Sequence, residues 1–70
     1  MEFRNLKSTR LKKSAYIKDE ATLVLKFSDG RQYEYYDVPV KVYTELIHSK
    51  SPGKFFDIHI KGKYEYERQT

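Results

Sequence analysis

Hydrophobic and polar residues alternate most cleanly between Ala21 and Phe27: Ala21, Leu23, Leu25 and Phe27 fall on one side, Thr22, Val24 and Lys26 on the other. A period of two is that of a strand buried on one face. Residues 31–37 read as the next strand, because a run rich in tyrosine suits a pleated, half-buried surface. A shorter strand is expected at Ser14–Lys18, which carries Ala15, Tyr16 and Ile17, with Asp19-Glu20 as the turn after it. Beyond Val38 the period changes. Val42, Tyr43, Leu46 and Ile47 have the spacing of an amphipathic helix, with Lys41, Thr44, Glu45 and His48 toward water. Pro39 fits that helix's first position, where its missing N–H costs nothing. The helix is expected to stop near Ser49 or Lys50.

The turn between the two central strands can be read in two ways. A two-residue Asp29-Gly30 turn pairs Phe27 with Gln32 and points Tyr33 and Tyr35 away from Leu23 and Leu25. A three-residue loop, with Gly30 left-handed, pairs Phe27 with Arg31, so that Leu25 faces Tyr33 and Leu23 faces Tyr35. A slip of one residue flips every side chain, and burying one Leu or Phe is worth roughly 1.5–3 kcal/mol, more than the preference between turns. The second register is therefore favoured. Ser51-Pro52-Gly53 is a further start signal, with Ser51 as cap and Pro52 at the first helical position. The stretch after it fits two periods: Phe56 and Ile60 are four apart, as in a helix, and Phe56, Ile58 and Ile60 also alternate, as in a strand. Gly62 closes either element, and residues 63–70 read as extended or frayed. Tyr-Glu-Tyr occurs twice, at 33–35 and 64–66.

Composition narrows the class. Seventy residues make one small domain, able to bury only about 60% of its unfolded surface. The chain has no cysteine, so disulfides and a thiolate zinc site are excluded, and so small a core would gain from self-association. Aromatic residues make up 16%, seven Tyr and four Phe, which supply core area and argue against disorder. No apolar run approaches the ~20 residues of a membrane span, and the N-terminus lacks the apolar core of a signal peptide. A soluble cytoplasmic protein with no membrane partner is expected. The net charge of +4 is uneven. Residues 1–13 hold Arg4, Lys7, Arg10, Lys12 and Lys13 against Glu2 alone, and over residues 14–70 the charges balance. Residues 1–13 are thus read as a basic N-terminal arm, suited to phosphates or to a solvated tail, and 14–70 as the folded domain.

One ordered set of residues resembles a known family. Ser8-Thr9 precedes Ala15-Tyr16; Leu23, Leu25, Phe27, Asp29-Gly30, Tyr33, Tyr35 and Val38-Pro39 come next; then Val42-Tyr43, Leu46, Ser51, Gly53-Lys54-Phe55-Phe56, Ile60 and Tyr64. This is similar to the KTSC domain, a module named for its place at the C-terminus of some lysyl-tRNA synthetases and also found as small bacterial and phage proteins. The resemblance covers roughly residues 8–69 and favours a helix over 52–61. It implies no firmly assigned activity; RNA binding is suggested by the family's occurrence on a tRNA enzyme. Members usually have Asn after the Phe-Phe pair, where this chain has Asp57.

The expected fold is α+β: a short antiparallel three-stranded meander packed on one face by two C-terminal helices. Its core is read as Leu23, Leu25, Phe27, Tyr33, Tyr35, Tyr43, Leu46, Ile47, Phe56 and Ile60. No nucleophile with an activating base and no converging metal ligands are evident, so neither an enzyme nor a cofactor is expected. His48 and His59 read as surface histidines, although Asp57 stands close to His59. Ser51-Pro52-Gly53-Lys54 suits either simple capping or phosphate contact at a helix start. Tyr33 and Tyr35 suit base stacking only if exposed, and the favoured register buries them. Tyr36 then falls on the opposite face with Val24, Lys26 and Glu34, where Tyr16 can join it. The function expected is a non-catalytic module binding nucleic acid, RNA first. Arg4, Lys7, Arg10, Lys12, Lys13 and Lys54 would contact phosphates, and Tyr16 and Tyr36 would stack. The alternatives are a protein-interaction module and a binder of a small phosphorylated ligand.

Overall fold

The hairpin at the centre of the chain takes the register that collects the apolar set. In the structure, a computed structural model that describes residues 2–70, Leu25 stands opposite Tyr33 and Leu23 opposite Tyr35. The Phe27 N–H donates to the Arg31 carbonyl at 2.8 Å and the Gly30 N–H to the Phe27 carbonyl at 3.0 Å, closing a loop of Ser28, Asp29 and Gly30. Gly30 has φ +94°, a conformation that only glycine takes without strain.

Around this hairpin the sheet is larger than the alternation alone indicates. It has five antiparallel strands in sequence order, not three: β1 (Arg4–Asn5), β2 (Leu11–Ile17), β3 (Thr22–Phe27), β4 (Gln32–Tyr35) and β5 (Tyr66–Arg68). Helices α1 (Val40–His48) and α2 (Pro52–His59) lie between β4 and β5 in the chain. The two strands missing from the expectation are the edges. All residues of β1 and β5 are exposed, and backbone pairing holds them without a hydrophobic period to betray them.

β2 also begins earlier than expected. Leu11 pairs with Phe27 but Lys13 pairs with Lys26, so a β-bulge at Lys12 shifts the phase by one residue. The shift turns Leu11 inward, where it is fully buried. Within the stretch read as a basic arm, Arg4–Asn5 form β1 and Leu11–Lys13 begin β2, with a turn between them. The same pairing puts Tyr16 across from Leu23 on the inner face, which corrects its expected place on the outer one. Its ring stacks on Tyr43 at 5.2 Å and its hydroxyl donates to the Val38 carbonyl at 2.6 Å.

The core on the inner face comprises Leu11, Leu23, Leu25, Tyr35, Val38, Leu46, Phe56 and Ile60, with Phe27, Tyr33 and Tyr43 half-buried against it. Ile47, expected in the core, is only half-buried. Pro39 is extended and caps α1 from one position before its first turn. Ser51 and Pro52 take the cap and first helical positions of α2, but the Ser51 side chain makes no capping bond. α2 ends at His59, and Gly62 at φ +75° turns the chain toward β5.

Candidate nucleic-acid interface

The expected phosphate-binding residues separate into distinct environments. Lys12, Lys13 and Lys26 gather on the outer side of the hairpin end. Lys13 stands directly opposite Lys26, and Lys12 and Lys26 line a shallow hollow of about 270 Å3 with Gln32 and Thr70. Like charges facing each other across a strand pair destabilise the sheet. The Lys26 ammonium lies 4.8 Å from the centre of the Phe3 ring, which offsets part of that repulsion. Among the described residues the ion pairs are Arg10–Asp57 and Arg31–Asp29, so none of these lysines is paired.

Arg10 belongs elsewhere. Its guanidinium grips Asp57 through both terminal nitrogens, at 2.8 and 3.2 Å, and also donates to the Gly53 carbonyl. A Cβ on Gly53 would come within 3.0 Å of the Arg10 guanidinium, so the absent side chain makes room for this tie between β2 and α2. Asp57 neutralises the one arginine of the group that reaches the helix. Arg4 lies on β1, Lys7 in the turn after it and Lys54 in the first turn of α2; all are exposed, and none lines this hollow or the larger cleft on the inner side. Tyr36 is half-buried with its hydroxyl 3.5 Å from Glu34. Desolvation, then the carboxylates of Glu67 and Glu34, raise its pKa. The two carboxylates place negative charge beside the Tyr36 ring.

The larger cleft, of about 570 Å3, lies on the inner side of the same hairpin. Five aromatic rings form its floor in a closed chain of contacts. Phe27 meets Tyr33 at 5.5 Å, Tyr33 meets Tyr66 at 5.6 Å, Tyr66 meets Tyr35 at 5.4 Å, Tyr35 meets Phe56 at 5.8 Å, and Phe56 returns to Phe27 at 5.5 Å. Tyr35 is 5% exposed, whereas Tyr66 is 57% exposed. At the rim, Asp29 accepts from the Arg31 backbone N–H at 3.1 Å and from its Nε at 2.8 Å. These contacts, the backbone one first, hold the Asp29 carboxyl below its ordinary pKa. Arg31 Nη1 reaches the Tyr33 hydroxyl at 3.3 Å, and Lys61 stands on another side of the rim.

Sequence reasoning missed Arg31, Lys61 and Tyr66. The one signal available was the second Tyr-Glu-Tyr: read as a strand, it pairs Tyr66 with Tyr35, as the structure does. The histidines are placed singly, His48 Nδ1 at 2.8 Å from the Thr44 carbonyl and the His59 ring 4.5 Å from that of Phe55. Among the described residues no group of three or more His, Cys, Asp or Glu is placed to hold a metal ion, and no helix is long and apolar enough to cross a membrane.

A short α+β chain with a five-stranded meander, two helices on one face and an aromatic cleft at one hairpin defines a class that the comparisons identify. The KTSC domain model matches residues 7–64, and the chain belongs to that family. A lysine–tRNA ligase of Trichormus variabilis is 40% identical over 58 residues, which is 83% of this chain and 10% of that protein. The chain thus spans about a tenth of the length of such ligases. A protein of Tsukamurella paurometabola is 30% identical over 59 residues, 84% of this chain and 88% of its own length. The crystal structure of a KTSC domain protein from Yersinia pestis superimposes with a TM-score of 0.92 at 28% identity, covering 99% of this chain and 97% of that one.

Proposed function

We propose that this chain is a non-catalytic RNA-binding module whose phosphate contacts are made by Lys12, Lys13 and Lys26. The observation that carries this reading is the unpaired Lys13–Lys26 juxtaposition, with Lys12 beside it on the bulge. Two lysines paired directly across a strand pair cost stability in the free protein, and a phosphate bound to both side chains would remove that cost. Relatives that are lysine–tRNA ligases act, by their name, with tRNA, which favours RNA among the polyanions that such a cluster would attract. Arg10 has no part in this reading, because Asp57 already holds it.

Binding of this kind is strongly salt-dependent, since each phosphate neutralised releases a counterion. The test is a polarisation titration of labelled tRNA and of single strands across a range of salt concentrations. Replacing Lys12, Lys13 and Lys26 together by Ala is expected to flatten the log–log salt slope by about 2, given ~0.7 per phosphate contact on a single strand. No salt-sensitive binding at micromolar protein would overturn the reading.

A further inference from the structure

The lysine cluster leaves the aromatic cleft on the other side of the hairpin without a role. We propose that this cleft receives one unstacked base of a single-stranded RNA, packed against Tyr33 and Tyr66 with its polar edge at Arg31 and Asp29. The ligand class rests on the RNA reading above; the site rests on the cleft's own geometry.

Size comes first. A volume of about 570 Å3 lies within the range of small-ligand sites and accepts a base with its ribose. The floor is suited to a flat ring: Tyr66 leaves more than half of its surface in water although it touches Tyr33 and Tyr35, and a stacked base would cover it.

Charge at the rim decides between a base and a phosphate. Arg31 is paired with Asp29 and Arg10 with Asp57, so both arginines at the cleft are neutralised. The Asp29 carboxylate would repel a phosphate but can accept from an amino or imino N–H. Arg31 is pinned on two sides, by Asp29 at Nε and by Tyr33 at Nη1. Two of its five N–H donors are thereby committed, which leaves three fixed in direction and free for a ligand. The uncommitted Arg31 donors, fixed beside the Asp29 carboxylate, match the mixed donor–acceptor edge of a base. Lys61 is the group at the rim without a carboxylate partner among the described residues, and it suits the phosphate attached to that base. The strand would then run from the cleft around the hairpin loop to the lysines, because Phe27 and Ser28 border both hollows.

The experiment compares the whole chain's affinity for a short single-stranded RNA with that for an abasic strand of the same length and charge. A parallel NMR titration with nucleoside monophosphates tracks the ring resonances of Tyr33 and Tyr66. The abasic strand is expected to bind about 10-fold more weakly, the contribution of one stacked base. Tyr66→Ala and Arg31→Gln are each expected to lose most of that factor for the base-bearing strand, with abasic binding and the salt slope unchanged. Arg31 is exposed, so Arg31→Gln carries the test if Tyr66→Ala fails to fold. Equal affinity for the two strands overturns the cleft assignment and leaves the lysine reading standing. If no strand binds at all, the RNA reading falls and the monophosphates decide: shifts at Tyr33 and Tyr66 support the cleft as a nucleotide site, and their absence overturns it.

Discussion

The Ser14 hydroxyl is fully buried on the inner face of β2, between Arg4 and Leu25, and finds no hydrogen-bond partner among the described residues. A buried hydroxyl with no partner carries a desolvation cost of ~1–3 kcal/mol. Ser14→Ala removes the polar atom, keeps the strand and leaves a cavity smaller than a water. It is expected to raise stability by about 1 kcal/mol, a gain of roughly 4–8 °C in Tm for a domain of this size. Thermal unfolding monitored by circular dichroism measures it; a lower Tm would mean that an ordered water satisfies the hydroxyl. Tyr16 shows the opposite arrangement in the same strand. Its phenol is satisfied by the Val38 carbonyl, so it ties β2 to the segment that leads into α1.

Between elements, the tightest constraint is the loop joining β3 and β4. Gly30 has open space where a Cβ would stand, so a substitution there is opposed by the backbone alone. Gly30→Ala at φ +94° is expected to cost about 1–2 kcal/mol with the fold retained, read as a lower urea midpoint at unchanged slope. An unchanged midpoint would show that the loop relaxes to another turn. This hairpin was legible in the sequence, because Leu23, Leu25, Tyr33 and Tyr35 can share a face in only one register. The first helix was legible too, through the spacing of Val42, Tyr43 and Leu46; for the second the start signal at Ser51-Pro52 marked only where it begins, because Phe56, Ile58 and Ile60 fit both periods and the family resemblance alone favoured the helix. The edge strands were not. β5 shows one inward ring, Tyr66, and is otherwise placed by backbone pairing, continued just past its end by the Gln69 N–H to the Gln32 carbonyl at 2.7 Å; such bonds leave no mark on residue type. The bulge at Lys12 hid Leu11 and turned Tyr16 inward, since a phase shift cannot be seen from alternation on one strand. Of the candidate site, Lys12 and Lys13 were visible as charge. The sequence does not show that Lys26 faces Lys13, that Asp57 takes Arg10, or that Tyr66 closes a ring of aromatics; each joins residues far apart in the chain.

At the scale of the whole molecule, the five linked rings connect β3, β4, β5 and α2, and Tyr35 is the most deeply placed of their phenols. Burial, then the neighbouring phenols of Tyr33 and Tyr66, push its pKa from 10.0 up to about 12. The folded state therefore keeps this proton to a higher pH than the unfolded chain does. Above pH 10 the unfolded chain binds fewer protons, and stability falls as pH rises. The contribution is complete below pH 10 and is lost as pH climbs from 10 toward 12, to a limit of roughly 2–3 kcal/mol. Tyr35 has no hydrogen-bond partner for its hydroxyl among the described residues, so Tyr35→Phe is expected to match the wild type near neutrality. Urea midpoints measured from pH 8 to pH 12 should then diverge, the wild type falling more steeply than the variant (lysine titration is common to both and cancels in the difference). Parallel curves would mean that another ionisation drives alkaline unfolding. The same series bears on the cleft, because Tyr33 and Tyr66 pack on Tyr35, so ionisation of that phenol weakens the floor proposed for the base.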